Sequence, residues 1–280
     1  MSLNIRSTLK LCGGSEIPIL GFGTYELDGR DAYQPVKWAL EAGYRHIDSA
    51  EWYDNERECG EAIRSFLSEN QLPRSDIFFT TKLRSNSTNY ATVKAAINKS
   101  LKACGLDYID LYLLHSPIGG PKARKESWRA VCDAKKEGIL KNIGVSNFGV
   151  EHLKEMIRDG VELPAVNQVD LHPFMTRTDI VALCKEHDIA LEAWAPLVRG
   201  LRFNHPSIKA LAAKYHKEPA QILLRYSLQK GYIPLPKSSS KRRIESNTNI
   251  YDFELAEEEI QHLDSLDEAL VTDWDPTECP

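Results

Sequence analysis

The chain has few of the features that mark secreted, membrane or metal-binding proteins. Its six cysteines form no Cys-x-x-Cys pair and no metal-ligand spacing, so we expect reduced thiols and no bound metal. No stretch approaches the ~20 apolar residues of a membrane span, and the opening MSLNIRSTLK lacks the apolar core of a signal peptide. These absences predict a cytoplasmic protein.

Neither sign of charge dominates. The 35 Lys and Arg residues against 40 Asp and Glu residues give a formal net charge of −5, which provides no overall attraction to nucleic acid or to an anionic membrane. At 280 residues, with no Pro-, Gly- or Ser-rich linker, the chain has the length of one α/β barrel. We therefore expect a single domain over residues 1–280, acting as a monomer or weak dimer.

Strand-like apolar runs alternate with amphipathic helical stretches along most of the chain. A β-hairpin is predicted at residues 8–11 and 16–19, turning at Gly13 and Gly14. Eight strands follow, at residues 20–24, 45–48, 77–82, 109–115, 143–146, 165–170, 190–194 and 232–236. Helices are predicted at residues 32–42, 56–69, 90–103, 126–137, 147–158, 179–186, 208–215 and 218–229.

Repeated alternation of this kind indicates a parallel sheet covered by helices. Eight strand–helix units close into a (β/α)8 TIM barrel, here with an N-terminal β-hairpin and a short C-terminal tail, and the loops after the strands form its active face. A doubly wound Rossmann sheet would need Gly-x-Gly-x-x-Gly at the start of a helix, whereas the chain has GFGT before a loop. We therefore predict the barrel.

Four polar side chains stand at or just after the ends of predicted strands. Asp48 and Tyr53 lie in GYRHIDSAEWYDNE, Lys82 lies in FFTTKL, and His115 ends DYIDLYLLH. Strand ends of a barrel meet at one level, where a phenol, an ammonium, a carboxylate and an imidazole form a proton-transfer set. We expect Tyr53 to be the acid, because a nearby ammonium lowers the pKa of a phenol from about 10. Lys82 supplies that charge.

In this arrangement Asp48 keeps Lys82 charged and oriented, and His115 polarises a carbonyl group or helps to transfer the proton. Each side chain also has a simpler interpretation. Asp48 could cap a helix or turn, Tyr53 could be a surface aromatic, Lys82 could reach solvent, and His115 could be a hydrogen-bonded core residue. Their occurrence together on strands of one barrel favours the catalytic interpretation.

Two further groups of residues suggest ligand contacts. The segment KSSSKRR, residues 237–243, combines hydroxyls, free N–H groups at a helix start and cations, which make an anion site; a flexible basic turn has the same composition. Ser146, Asn147 and Gln168 carry donors and acceptors suited to a carboxamide. Trp194 offers a flat face for stacking a ring. Asn147 could equally cap a helix, and Trp194 could fill the barrel core.

Six blocks resemble those of the aldo-keto reductases, in order and over almost the whole chain. They are GYRHIDSAEWYDNE, TTK, SLKACGLDYIDLYLLHSP, GILKNIGVSNF, VNQVDLHP and IPLPKSSSKRRIESN. The resemblance implies reduction of a small-molecule aldehyde or ketone to an alcohol with NADPH. By resemblance, Asp48, Tyr53, Lys82 and His115 match the catalytic tetrad of the family, with Tyr53 giving its proton as hydride reaches the carbonyl carbon.

The resemblance also implies cofactor contacts. Lys237, Ser238 and Arg243 match a pocket for the adenosine 2′-phosphate, and Asn247 matches an adenine contact. Two cations around a phosphate-sized gap favour NADPH over NADH. The residues expected to contact NADPH or NADP+ are Gly23, Thr24, Asp48, Ser146, Asn147, Gln168, Trp194, Lys237, Ser238, Arg243 and Asn247.

The substrate end departs from the family pattern. Tyr25 stands where a Trp is frequent, and the loop at residues 197–206 is short. The C-terminal tail that carries Trp274 is also brief. We therefore expect an open, permissive pocket, with Tyr25, Trp52 and Trp274 facing the substrate.

Two functions other than reduction also fit parts of this pattern. One is a Schiff-base aldolase that uses Lys82 as its nucleophile, which leaves residues 237–243, Gln168 and Trp194 without a role. The other is a cofactor-binding, weakly catalytic regulatory partner, which the complete tetrad disfavours.

Overall fold

A short antiparallel hairpin is the first element of the computed structural model, which describes residues 3–280. Its strands are β1 (Thr8–Lys10) and β2 (Glu16–Pro18). The turn between them contains Gly14 at φ +88°, a left-handed conformation that glycine adopts without a steric penalty. The predicted hairpin is confirmed.

Within residues 3–280, eight strands form one parallel sheet, each hydrogen-bonded to the next in sequence. They are β3 (Phe22–Gly23), β4 (His46–Asp48), β5 (Phe78–Leu83), β6 (Ile109–Leu114), β7 (Leu140–Ser146), β8 (Val166–Asp170), β9 (Ala190–Trp194) and β10 (Ile233–Pro234). The sheet closes because the Gly21 N–H donates to the Pro234 carbonyl (3.1 Å) and the Gly23 N–H to the Pro236 carbonyl (3.0 Å). The predicted (β/α)8 barrel is confirmed.

The α-helices follow the strands of the barrel in sequence. They are α1 (Tyr33–Glu41), α2 (Glu56–Asn70), α3 (Tyr90–Cys104), α4 (Gly120–Lys136), α5 (Val150–Arg158), α6 (Thr178–Glu186), α7 (Pro206–Tyr215), α8 (Pro219–Gln229), α9 (Lys241–Ser246) and α10 (Glu257–Asp264). Two of them, α7 and α8, lie between β9 and β10. Among residues 3–280, no helix has the length and apolar character needed to cross a membrane.

Three helices differ from the prediction. α4 begins at Gly120 rather than at residue 126, because Pro121 in its first turn presets a helical φ. α5 begins at Val150 rather than at residue 147, because Asn147 has a left-handed φ of +59°. α10 was not predicted, although three glutamates in its first turn favour a helix start.

Helix α3 illustrates how the sequence defines an element. Asn89 precedes it and accepts hydrogen bonds from two backbone N–H groups of the first turn, which satisfies donors that would otherwise lack partners. Val93, Ile97 and Cys104 lie at helical spacing and are buried. Gly105, with φ +61°, ends the helix. Truncating a buried residue such as Ile97 to Ala typically costs about 2–5 kcal/mol.

The interior of the barrel is apolar near the amino-terminal ends of the strands and polar near their carboxyl ends. Leu11 and Ile17 of the hairpin are buried and pack in one cluster with Phe78 and Leu111. Lys82 lies further along the same strand as Phe78 and is also fully buried. The hairpin therefore closes one end of the barrel, and charged groups are held near the carboxyl ends of the strands, where barrel active sites form.

The contact between α2 and the end of α3 generates a stability prediction. A Cβ atom on Gly60 would lie 1.8 Å from the carbonyl oxygen of Cys104, so Gly60→Ala forces the two helices apart. We expect the free energy of unfolding to fall by about 1–3 kcal/mol or more, measured by urea denaturation.

Gly13→Ala is the matched control, because a Cβ on Gly13 meets nothing closer than 4.0 Å. This variant should stay within about 0.5 kcal/mol of wild type. Equal stability of the two variants would contradict the close packing at Gly60.

Candidate active site

A cavity of about 1010 Å³ opens at the carboxyl ends of the strands. It brings together most of the residues that the sequence singled out: Gly23, Tyr25, Asp48, Trp52, Tyr53, His115, Ser146, Asn147, Gln168, Trp194, Lys237, Ser238, Arg243, Asn247 and Trp274. Thr24 and Lys82 are fully buried behind the cavity wall. Thr24 donates its hydroxyl to the Asp48 carbonyl (2.9 Å), so it supports the end of β4 rather than lining the cavity.

Lys82 is the central charge of the site. Its Nζ donates to Asp48 Oδ1 at 2.6 Å, to the Ser49 carbonyl at 2.9 Å and to Tyr53 Oη at 3.3 Å. Burial alone lowers the pKa of Lys82, but Asp48 and Tyr53 outweigh burial and raise it above its ordinary value. The amine is therefore a cation at neutral pH and is enclosed by oxygen atoms.

Tyr53 is placed by a short 3-10 turn, Glu51–Tyr53, that follows β4. The next residue, Asp54, adopts a left-handed φ of +51°. Asn55 then holds the loop, because its Nδ2 donates to the carbonyls of Thr24 (2.9 Å) and Leu27 (2.8 Å). This bonding fixes the phenol over Lys82.

The pKa of Tyr53 corrects one expectation. Burial raises the pKa of the phenol above its ordinary value, and the opposing effect of Lys82 is the smaller of the two. The expected net lowering is therefore wrong, because the cost of burying a phenolate exceeds the attraction of one ammonium. Tyr53 holds its proton at neutral pH.

His115 follows β6 and stands beside the phenol. Its ring meets those of Tyr53 and Trp52 edge to face, with centroids 5.6 Å apart in each case. Burial, together with the charge of Lys82, lowers the pKa of His115 well below its ordinary value, so the imidazole is neutral. Its Nδ1 has no hydrogen-bond partner within residues 3–280, unlike a satisfied core histidine.

Glu192, on β9, belongs to the site and was not predicted. Gln168 Nε2 donates both to Asp48 Oδ2 (2.9 Å) and to Glu192 Oε2 (2.7 Å), so the two carboxyl groups share one amide. The available signal was a glutamate at the centre of the apolar run ALEAW, since carboxylates are seldom fully buried without a role.

Hydrogen bonds hold the side chains of Ser146, Asn147 and Trp194 in place at the cavity. Trp194 Nε1 donates to Asn147 Oδ1 (2.8 Å), and Asn147 Nδ2 donates to the His115 carbonyl (3.1 Å). Ser146 Oγ donates to the Gln168 carbonyl (2.9 Å). Asn147 does not cap α5, whose N-cap is residue 149. Trp194 is half-buried and lines the cavity, so it is not simply core.

The basic segment, residues 237–243, contributes several side chains to the lining of the cavity. Ser238 Oγ accepts hydrogen bonds from Arg243 Nε (3.2 Å) and from the Ser240 N–H (3.1 Å). Arg242 pairs instead with Glu218 at 2.8 Å. Within residues 3–280, the one acidic contact of Lys237 is long, at 4.0 Å from Glu26. Arg242 lines the cavity as well, but among the lining cations of this segment it is the one with a close carboxylate partner, and Lys237 and Arg243 have none within residues 3–280.

Aromatic side chains line the part of the cavity around Tyr53 and His115. Tyr25 lies 5.2 Å from the Tyr53 ring, and Trp52 lies 6.0 Å from Trp274, centroid to centroid. Tyr25 and Trp52 are 44% and 46% exposed, which leaves their faces available to a ligand.

Ion pairs bridge the rim of the cavity, which the short loops did not suggest. Arg199, after β9, bonds to Glu26 (2.8 Å) and to Asp273 of the C-terminal tail (3.2 Å). These ion pairs join three segments distant in sequence, so no local pattern predicted them. The expected open pocket therefore has a bridged rim.

Comparison with known proteins places this site in a family. The model of the aldo/keto reductase family matches residues 19–268. An uncharacterized oxidoreductase of Schizosaccharomyces pombe is 45% identical over 275 residues, which cover 98% of each chain. A glyoxal reductase of Bacillus subtilis is 40% identical over 267 residues, 95% of each chain.

Solved structures agree with the sequence relatives. An aldo-keto reductase of Bombyx mori in complex with NADP gives a TM-score of 0.90 at 36% identity, covering 98% of this chain and 97% of that one. An aldo/keto reductase of Brucella melitensis gives 0.88 at 41% identity, covering 93% and 99%. The protein described here belongs to the aldo/keto reductase family.

Proposed function

We propose that this oxidoreductase reduces small aldehydes and ketones to alcohols with NADPH, and that Tyr53 donates the proton. The observation that carries the proposal is the position of the Lys82 ammonium, 2.6 Å from Asp48 and 3.3 Å from the Tyr53 hydroxyl, directly behind the cavity wall. NADPH, when bound, supplies the hydride. The chain supplies orientation and the proton.

The proton chemistry follows from the charges around Tyr53. The raised pKa of the phenol keeps its proton in place at neutral pH. As that proton passes to the substrate oxygen, the fixed ammonium of Lys82 stabilises the phenolate that forms, without any rearrangement of the protein. Neutral His115 can donate a hydrogen bond to the carbonyl oxygen, because a neutral imidazole carries one N–H.

The cavity residues fit a nicotinamide dinucleotide. Both N–H bonds of Gln168 are committed to carboxyl groups, which leaves its Oε1 to accept from a carboxamide. Trp194, which is oriented by its bond to Asn147, lines the cavity where an aromatic ring could stack. At the far end, Ser238 and Arg243 offer a hydroxyl and a guanidinium to a phosphate.

Related proteins support the choice of cofactor and substrate class. The similar Bombyx mori reductase was solved with NADP, and the similar Bacillus subtilis protein is a glyoxal reductase. We accordingly propose NADP(H) as cofactor and compact, reactive carbonyl compounds as substrates, in the cytoplasm.

The two alternatives have less support. A Schiff-base nucleophile must be neutral and reachable, whereas Lys82 is fully buried and ion-paired. A weakly catalytic partner would not need the Lys82–Tyr53 contact to be intact. Neither alternative accounts for the whole cavity.

Tyr53→Phe tests the proton donor. We expect kcat for carbonyl reduction to fall by about 10²–10⁴-fold, because the ring remains but the proton is gone, while the Kd for NADPH changes little. Steady-state kinetics and fluorescence titration measure the two quantities. Tyr90→Phe, on α3 and outside the cavity lining, is the control. Unchanged turnover in Tyr53→Phe would remove this residue from its role.

Lys82→Met tests the coupling between the ammonium and the phenol. Lys82 lowers the pKa of Tyr53, so its loss should raise the apparent pKa of the last alkaline step of the kcat/KM profile, that of Tyr53, and reduce the rate. Circular dichroism checks that the variant folds. A profile that keeps the wild-type apparent pKa would argue against the coupling.

Arg243→Ala tests the choice between NADPH and NADH. Removing a charge-assisted bond to the 2′-phosphate should weaken NADPH binding by roughly tenfold or more, with little effect on NADH, which lacks that phosphate. Isothermal titration calorimetry gives both constants. Lys241→Ala, on the same helix and not part of the cavity lining, is the control. Equal weakening of both cofactors would contradict the phosphate contact.

A further inference from the structure

One buried carboxyl group inside the barrel forms no ion pair with a cation among residues 3–280. Glu192 is fully buried on β9, and its Oε1 has no hydrogen-bond partner within residues 3–280. The nearest basic group is His46 Nε2, at 3.6 Å, and burial lowers the pKa of His46 to about 3, so this ring is neutral. Burying a carboxyl group with one unbonded oxygen costs free energy, so we expect the neighbours of Glu192 to give it a role that offsets this cost.

Glu192 is connected to the catalytic charges by hydrogen bonds. Its Oε2 accepts from Gln168 Nε2 at 2.7 Å. The same nitrogen donates to Asp48 Oδ2 at 2.9 Å, and Asp48 Oδ1 accepts from Lys82 at 2.6 Å. Three bonds therefore link Glu192 to the ammonium that lies beside Tyr53.

The shared amide also determines which atom of Gln168 faces the cavity. An amide nitrogen has two protons, and here both are directed at carboxyl oxygens. If Glu192 were absent, one proton would lack its acceptor and the amide could turn over. Glu192 therefore keeps the Gln168 oxygen, rather than its nitrogen, toward the cavity.

We propose that Glu192 is a positioning residue for carbonyl reduction: through Gln168 it holds Asp48 against Lys82 and fixes the acceptor that Gln168 presents to the cofactor. The proposal rests on the function proposed above and adds a residue that does not itself contact substrate.

The ionisation of Glu192 gives this role a pH dependence. The titratable groups that face it are His46 and Asp48 on β4 and Lys82 on β5, while β8 contributes Gln168 and β10 contributes an apolar residue, Ile233. Burial, reinforced by Asp48, raises the pKa of Glu192 to about 8.

Glu192 is therefore largely neutral at pH 7 and ionises at higher pH. The negative charge of ionised Glu192, next to Asp48, offsets the positive charge of Lys82, so the phenolate of Tyr53 becomes harder to form. Carbonyl reduction should accordingly decline across pH 7–9, before Tyr53 itself loses its proton.

Two substitutions separate the titration from the hydrogen bond. Glu192→Gln keeps a carbonyl acceptor for Gln168 and cannot ionise. We expect its kcat at pH 7 to stay within about threefold of wild type and its decline across pH 7–9 to disappear. Glu192→Met keeps the volume but removes the acceptor, so kcat should fall about tenfold with the KM for the carbonyl compound nearly unchanged.

A second measurement does not depend on activity. A carboxyl whose folded pKa lies above its unfolded pKa, about 4.3, contributes stability that is present at low pH and is lost as pH rises through the folded pKa. The Tm of Glu192→Gln minus that of wild type, both without nucleotide, should therefore grow between pH 5 and 8 and level off above pH 9. Glu186→Gln, at an exposed site, is the control for replacing a glutamate outside the barrel.

The outcomes are distinct. A Glu192→Gln variant that keeps the wild-type alkaline decline, or a Glu192→Met variant with wild-type kcat, overturns the positioning role. A constant Tm difference overturns the buried titration. If wild type reduces no carbonyl compound while the Tm difference follows the expected course, the proposed function fails and the catalytic role of Glu192 fails with it.

Discussion

The buried ion pair between Lys82 and Asp48 is the constraint on which the site depends. Two charges removed from water are costly unless each has close partners, and here the Nζ–Oδ1 distance is 2.6 Å, with the Ser49 carbonyl as a further acceptor. The pair requires β4 and β5 to be neighbours in a fixed register, with Asp48 opposite Thr80. The fold thereby determines the electrostatics of the cavity.

The other site residues are arranged around this pair. Tyr53 covers the ammonium, and the loop that carries it is held by Asn55. On the opposite side of Asp48, Gln168 connects the pair to Glu192. Lys82 thus contacts the Tyr53 hydroxyl on one side and, through Asp48, a network of amide and carboxyl groups on the other. The charges on both sides affect the stability of a Tyr53 phenolate.

Much of the fold and of the cavity could be predicted from the sequence, because both follow from local patterns. Alternating strands and helices predicted the barrel, and polar residues at strand ends predicted Asp48, Lys82 and His115. Properties that depend on which side chains meet and are buried in three dimensions could not be predicted from the sequence. The direction of the Tyr53 pKa shift, the shared amide between Asp48 and Glu192 and the bridging of loops by Arg199 all arise from contacts distant in sequence.

The hairpin at the amino-terminal end has a consequence for turnover. Leu11 and Ile17 fill that end of the barrel with hydrocarbon, which cannot conduct protons. Under the proposed function, a phenolate formed on Tyr53 would therefore be reprotonated from the opening at the carboxyl ends of the strands. Because product would leave through the same opening, recovery of the acid and release of product would share one route to solvent.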